Sequence, residues 1–318
     1  MSGPGATLLH PRVLLPFALV TLIWGSTWIV IKGQLGIVPP SWSVTYRFAV
    51  AAIAMFAFAV MRREKLWLEP NAMAFAALLG VAQFTFNFNF VYRAEQHITS
   101  GLVAVLFALL IVPNTLLGRS FLKTPLEARF LAGASIAIVG VGLMILHEYR
   151  AAALGAGEVI IGTMLTLAGV LSASTANVMQ GTTIARAQPM VVMIAWAMLF
   201  GALADGLFAW ITTGPPVVEH TAVYLGGVLY LGIIASAVTF PLYFNVIRAV
   251  GPGQAAWSSV LIPIIAMGIS TLVEGYRWAP LSIAGGLVAL IGLVIAVAKR
   301  PDKPSVSGNM VSVPVDAD

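Results

Sequence analysis

Apolar runs of about 20 residues recur from Val13 to Ala298, each closed by a short gap that carries charges, prolines and glycines. A helix of that length crosses the ~30 Å of hydrocarbon in a bilayer. Backbone groups in lipid must satisfy one another, so repeated runs of this kind dictate transmembrane helices. The chain is 59% hydrophobic and 9% charged, whereas a soluble domain carries roughly a quarter of its residues as charges. The 318 residues therefore count spans, not globular domains.

Ten spans are expected. The first five cover 13–31, 44–61, 72–91, 98–117 and 130–146; the second five cover 159–179, 190–211, 222–247, 254–273 and 281–298. The third-to-fourth and eighth-to-ninth connections are the tightest. The first run is too long for the core of a signal peptide and no small-residue cleavage site follows it, so it reads as a span. Residues 299–318 are polar, rich in Pro and Ser, and expected to be a disordered cytoplasmic tail.

Lysine and arginine orient the spans. With a cytoplasmic N-terminus, twelve fall on the inner side and four (Lys32, Arg93, Arg150, Arg277) on the outer side, with Arg47 inside a span. This positive-inside bias places both termini in the cytoplasm. The pI of 9.7 does not indicate nucleic-acid binding, because the basic residues sit in the gaps and form no stripe. There is no cysteine, and the four histidines make no metal-ligand spacing. No metal or other cofactor is expected.

Three local matches recur at similar offsets. Val91-Tyr92-Arg93-Ala94 resembles Val246-Ile247-Arg248-Ala249; Ala132-Gly133 with Gly140 resembles Ala284-Gly285 with Gly292; Pro113 pairs with Pro263. Together they suggest a duplication, although chance likeness among Gly- and Ala-rich helices is the alternative. A five-span unit inserts its second copy upside down, which is the inverted repeat of many transporters. The fold class is thus an all-α integral membrane protein of ten helices, with repeats at 1–150 and 151–298.

The motifs themselves have a familiar look. Trp24-Gly25-Ser26-Thr27 with Lys32, Arg47 in the second span, the stretch from Ala94-Glu95-Gln96-His97 to Pro113, and Glu274-Gly275-Tyr276-Arg277-Trp278 resemble the EamA-like branch of the drug/metabolite transporter superfamily. The resemblance spans nearly the whole chain. One departure is Gly118-Arg119-Ser120, where the family often has Gly-Glu-Arg, so no role for that glutamate carries over. The resemblance implies a central cavity, an exported metabolite and a bacterial inner membrane.

Polar groups inside spans are costly unless paired, so they nominate the cavity. Gln83 and Asn87 lie four apart on the third span beside Phe84, Phe86, Phe88 and Phe90, which suits a solute with an apolar body and a polar head. Asn177 on the sixth span, Thr239 and Tyr243 on the eighth, and Trp257 and Ser258 on the ninth extend the set. Trp24 and Trp28, also four apart, are candidates for an aromatic wall. Interhelical bonding or lipid-facing aromatics are the alternative for these groups. Pro113 and Pro263 are hinge candidates, with a static kink as the alternative. Arg47 and Asp205 are the intramembrane charges; they are expected to face protein or water and to approach each other. The glycines of the fifth and tenth spans, Gly142 and Gly286 included, are assigned to helix packing.

These features favour an alternating-access exporter or facilitator of small neutral or zwitterionic metabolites such as amino acids. Efflux of cationic drugs is the alternative, disfavoured because Asp205 is the one acidic group deep in a span. Phosphorylated solutes would want more buried cations. An intramembrane enzyme would want clustered aspartates or a His/Ser constellation, neither of which occurs. The expected partners are the lipid bilayer and a small solute.

Overall fold

The computed structural model describes residues 10–123, 126–151, 155–250 and 257–297, and its regular structure is helical throughout. The expected tail at 299–318, the first residues of the ninth span at 254–256 and the end of the tenth span at Ala298 lie outside the described residues. The long helices are α1 (Pro11–Lys32), α2 (Pro40–Met61), α3 (70–97), α4 (Ser100–Leu122), α5 (Ala128–Ala151), α6 (Ala156–Gln180), α7 (Met190–Thr213), α8 (222–250), α9 (Ser258–Val273) and α10 (Pro280–Val297), with one short turn of helix at Thr183–Arg186. Among the described residues nine are long and apolar enough to cross a membrane, and α9 is a shorter apolar helix. The protein is a multi-pass membrane protein.

Four helices start on a proline, Pro11, Pro40, Pro70 and Pro280. Proline fits the first turn because its missing N–H would have no intrahelical partner there. This moves the start of the second span from the expected residue 44 to Pro40. The larger correction is at the third span: α3 runs on from the expected end at 91 to His97. Arg93 and Glu95 look like loop residues by hydropathy, but Glu95 is fully buried and Arg93 half-buried.

Two helices change pitch in mid-membrane. In α3 the segment Val81–Phe86 is π-helical between Pro70–Gly80 and Asn87–His97. In α8 the segment Tyr230–Val238 is π-helical between Ala222–Leu229 and Thr239–Val250. The wider turn shows in the hydroxyl bonds, which reach five residues back: Ser236 to the Leu231 carbonyl at 2.8 Å and Thr239 to the Ile234 carbonyl at 2.7 Å. Such bulges re-phase a helix and often mark functional sites.

The main helix pairings are preserved when the halves are exchanged. Helix α5 packs on α10 and α2 on α7; α1 packs on α8 and α9 as α6 packs on α3 and α4; α3 meets α7 as α8 meets α2. Along the α5–α10 seam, a Cβ on Gly133 would stand 2.6 Å from the Gly292 carbonyl oxygen, and one on Gly292 2.6 Å from that of Gly133. Rising numbers on α5 meet falling numbers on α10, so these equivalent helices run antiparallel and the repeats are inverted. Backbone contact this close requires glycine. Gly142 has nothing within 4 Å and Gly286 touches only the ends of Met144 and Trp278, so these two do not share the packing role expected of them.

Candidate functional site

Beyond its π-segment, α3 carries polar side chains into two networks. In the first, Asp205 of α7 is wholly buried. One carboxyl oxygen accepts from Asn89 Nδ2 and the other from Thr45 Oγ1 at 3.1 Å. Ser41 Oγ donates to Asn89 Oδ1 at 2.6 Å and accepts from Arg93 at 3.2 Å. Asp205 is thus held by two donors with Arg93 as its neighbouring charge. No salt bridge joins Asp205 to Arg47 among the described residues; Asn89 of α3 and Thr45 of α2 take its two oxygens instead.

The second network surrounds Arg47, which is 3% exposed. Its Nη2 donates weakly to Ser236 Oγ at 3.4 Å, and its Cζ stands 4.3 Å from the Phe88 ring centre and 5.1 Å from that of Phe48. Tyr92 lies beside it and donates to Gln34 Oε1 at 2.9 Å. One turn further along α3, Glu95 lies within electrostatic range of Lys32, Glu274 and Arg47. Lys32 donates to the backbone carbonyls of Glu95 and, at 3.3 Å, of Ile98. Glu274 accepts from Ser100 Oγ at 2.5 Å and Ser270 Oγ at 2.6 Å. Lys32, Glu95 and Glu274 were absent from the candidate site. By hydropathy Glu95 and Glu274 read as loop residues; the available signal is that Glu95 follows Tyr92 by three residues, within one helical turn.

From Arg47 a file of rings runs towards the opposite end of the bundle. Phe48 and Phe84 are 4.7 Å apart between centres, Phe84 and Phe240 6.2 Å, Phe240 and Trp24 5.6 Å, and Trp24 and Tyr243 5.0 Å. Trp24 Nε1 donates to the Ala235 carbonyl, 3.1 Å away in the π-segment of α8. The π-turn thus offers a carbonyl that an α-helical residue would have engaged internally. Tyr243 hydrogen-bonds Ser258 at the start of α9, and Thr239 is buried one residue before Phe240.

Trp28 lies 5.2 Å from Phe107, and its buried Nε1 has no hydrogen-bond partner among the described residues. The same holds for the carbonyl oxygens of Gln83 and Asn87. Asn87 Oδ1 faces Gly169, where an added Cβ would meet it at 3.5 Å and Phe107 at the same distance. Asn177 stands apart from this group: it is exposed and donates to Asn114 Oδ1 at 3.3 Å, which Ser174 also reaches at 2.7 Å. Trp257 directly precedes α9, makes no side-chain capping bond and is half-buried. Of the hinge candidates, Pro113 follows a break at Leu109–Leu110, where bonds tighten to a three-residue step; Pro263 is inside an uninterrupted helix.

The two ends of the bundle differ. Where α3 ends and α2 begins, Gln34, Arg47, Tyr92, Glu95 and Ser100 are buried, while at the other end Asn114, Tyr243 and Trp257 are half-buried. A cleft of about 340 Å³ opens between α1 and α8, lined by Val30, Gly33, Gln34, Gly227 and Tyr230 among others. Gln34 links this cleft to Tyr92. Among the described residues no group of His, Asp and Glu could hold a metal ion.

The pattern of the EamA-like transporter family matches residues 12–146 and again 160–298. "Protein PagO" of Salmonella typhimurium strain LT2 is 24% identical over 89% of this chain and 92% of its own. The "Probable amino-acid metabolite efflux pump" of Escherichia coli strain K12 is 23% identical over 88% and 92%. The "Uncharacterized inner membrane transporter YedA" of the same strain is 28% identical over 93% and 96%. A solved crystal structure shares the fold with a TM-score of 0.65 at 21% identity, over 90% of this chain and 96% of its own.

Proposed function

The chain belongs to the EamA-like transporter family of membrane metabolite exporters, and on that premise we propose that it moves small amphipathic solutes with a neutral or zwitterionic head, amino acids foremost. The observation that carries this reading is the joining of a buried polar cluster around Arg47 to a file of aromatic rings ending at Tyr243. A polar head and an apolar body find their own surfaces there. Buried Asp205 is already occupied by Asn89 and Thr45, and Glu95 lies within electrostatic range of Lys32 and Arg47, so a bare cation meets like charge there. The relative named for amino-acid metabolite efflux points the same way.

The halves 1–150 and 151–298 act as the two bodies that exchange access. The enclosed end, bearing Lys32 and Glu95, is the extracytoplasmic one by the lysine and arginine distribution, with both termini in the cytoplasm and the protein in a cell inner membrane. The half-buried residues near Pro113 and Trp257 then face the cytoplasm, where an exporter loads. Pro113, next to the break in α4, is the hinge candidate this favours over Pro263.

Proteoliposomes loaded with labelled amino acids and other neutral metabolites test the proposal. Release of unchanged amino acids above protein-free vesicles is expected, and an imposed pH gradient shows whether protons drive it. Folded protein that releases cationic drugs but no amino acid overturns the amino-acid reading.

A further inference from the structure

The charged cluster at the end of α3 is only half satisfied. Lys32 donates to two backbone carbonyls and Glu274 accepts from two serine hydroxyls. Arg47 is engaged in part, by Tyr92 and Ser236, and Glu95 is not. Nε and Nη1 of Arg47 and both carboxyl oxygens of Glu95 lack a hydrogen-bond partner among the described residues, although Arg47 is 3% exposed and Glu95 0%. They feel each other's charge, yet no salt bridge joins them among the described residues. Buried polar groups of this kind are almost always hydrogen-bonded, and each unmet one is costly. The unmet donors of Arg47 and the unmet acceptors of Glu95, within electrostatic range of each other, suit a molecule that offers both complements.

We infer that Arg47 and Glu95 read the two heads of an α-amino acid, Arg47 taking the carboxylate and Glu95 the ammonium, with the side chain laid along the aromatic file. This rests on the amino-acid reading above and specifies its site. The guanidinium sits over the Phe88 and Phe48 rings, and each of its two carboxylate-matching edges, Nε–Nη2 and Nη1–Nη2, joins an unpaired nitrogen to one held only by the 3.4 Å bond to Ser236. Charge supplies the second argument. A zwitterion between Arg47 and Glu95 leaves the buried site neutral. With Lys32 and Glu274 beside them the cluster holds two basic and two acidic side chains, so a bare cation or a bare carboxylate would each add an unbalanced charge. Buried uncompensated charge is what a site within a bilayer excludes most strongly. The rings Phe48, Phe84, Phe240 and Trp24 then favour large apolar or aromatic side chains.

The test is competition for efflux in proteoliposomes by three shapes with one side chain: phenylalanine, its methyl ester and 3-phenylpropionate. Wild-type protein is expected to prefer phenylalanine at least tenfold over either analogue. Arg47→Gln should lose phenylalanine at least tenfold while the ester holds, and Glu95→Gln should lose it while phenylpropionate holds, so the preference collapses from opposite sides. Amino-acid efflux with no discrimination among the three in the wild type overturns the inference and leaves the transport reading standing. Equal loss for all three in folded variants marks a structural role and also overturns it. Should either variant fail to fold, the wild-type panel decides. No amino-acid efflux from folded wild-type protein removes both readings together.

Discussion

Gly140 of α5 and Gly285 of α10 occupy each other's missing side chains: a Cβ on Gly140 would stand 2.6 Å from the Gly285 carbonyl oxygen, and one on Gly285 2.7 Å from that of Gly140. These two helices are equivalents in the two halves, so the contact ties one repeat to the other across their pseudo-twofold axis.

A methyl group at Gly140 must therefore displace backbone, since it would also meet the Ala289 nitrogen at 2.2 Å. Gly140→Ala should destabilise by about 1–3 kcal/mol despite alanine's better helix propensity. Gly142→Ala, two residues away with nothing within 4 Å, should be neutral or slightly stabilising. Thermal unfolding of the purified protein in detergent compares them.

Asp205 answers two donors, Asn89 and Thr45. Asp205→Ala leaves both unmet in a buried place and should cost about 1–3 kcal/mol. Asp205→Asn keeps an acceptor and should cost less. Efflux by Asp205→Asn is expected to respond to a pH gradient as the wild type does; loss of that response with the fold intact would instead assign the carboxyl to proton coupling.

Trp24 joins the aromatic file and ties it to the π-segment of α8 through the Ala235 carbonyl. Trp24→Phe keeps a ring but gives up that bond, worth about 1 kcal/mol. Efflux should fall about fivefold with folding unchanged, and Trp24→Leu should fall further. Initial rates in proteoliposomes at matched protein content decide this.

Outside the spans, the Tyr276 phenol donates to Glu148 Oε1 at 2.8 Å. Burial first, then the hydrogen bond and negative charge of Glu148, push its pKa above the usual tyrosine value. An unfolded tyrosine titrates near 10, so the stabilisation is complete below about pH 10 and is lost as pH rises through the higher folded value. Melting temperatures above pH 10 should fall more steeply in the wild type than in Tyr276→Phe.

The candidate site was legible in part. Trp24, Tyr243 and Ser258, named from three separate spans, converge, as do Trp28 and Asn87 through Phe107 and Gly169. Hydropathy selects residues for being polar inside an apolar run, and that property survives any packing arrangement. Asn177 met the same criterion yet pairs with Asn114 away from the file, because which neighbour a helix face meets is invisible along one chain. Glu95 was missed for the opposite reason: its polarity ended the apolar run, and only the surrounding helices make position 95 an interior one.

What the sequence determined by itself is the class of structure, the spans and the inversion of the halves. Those follow from local physics, since hydrocarbon forces each apolar run to satisfy its backbone as a helix, and a five-span unit repeated once turns over. Tertiary structure decided the partners. Asp205 belongs to Asn89, 116 residues away, and Arg47 faces Ser236 and Phe88, because the π-segments of α3 and α8 rotate the faces those helices present. Close contacts beside those segments, Gly80 on Ala197 and Gly232 on the Arg47 carbonyl, form only when helices distant in the chain pack together.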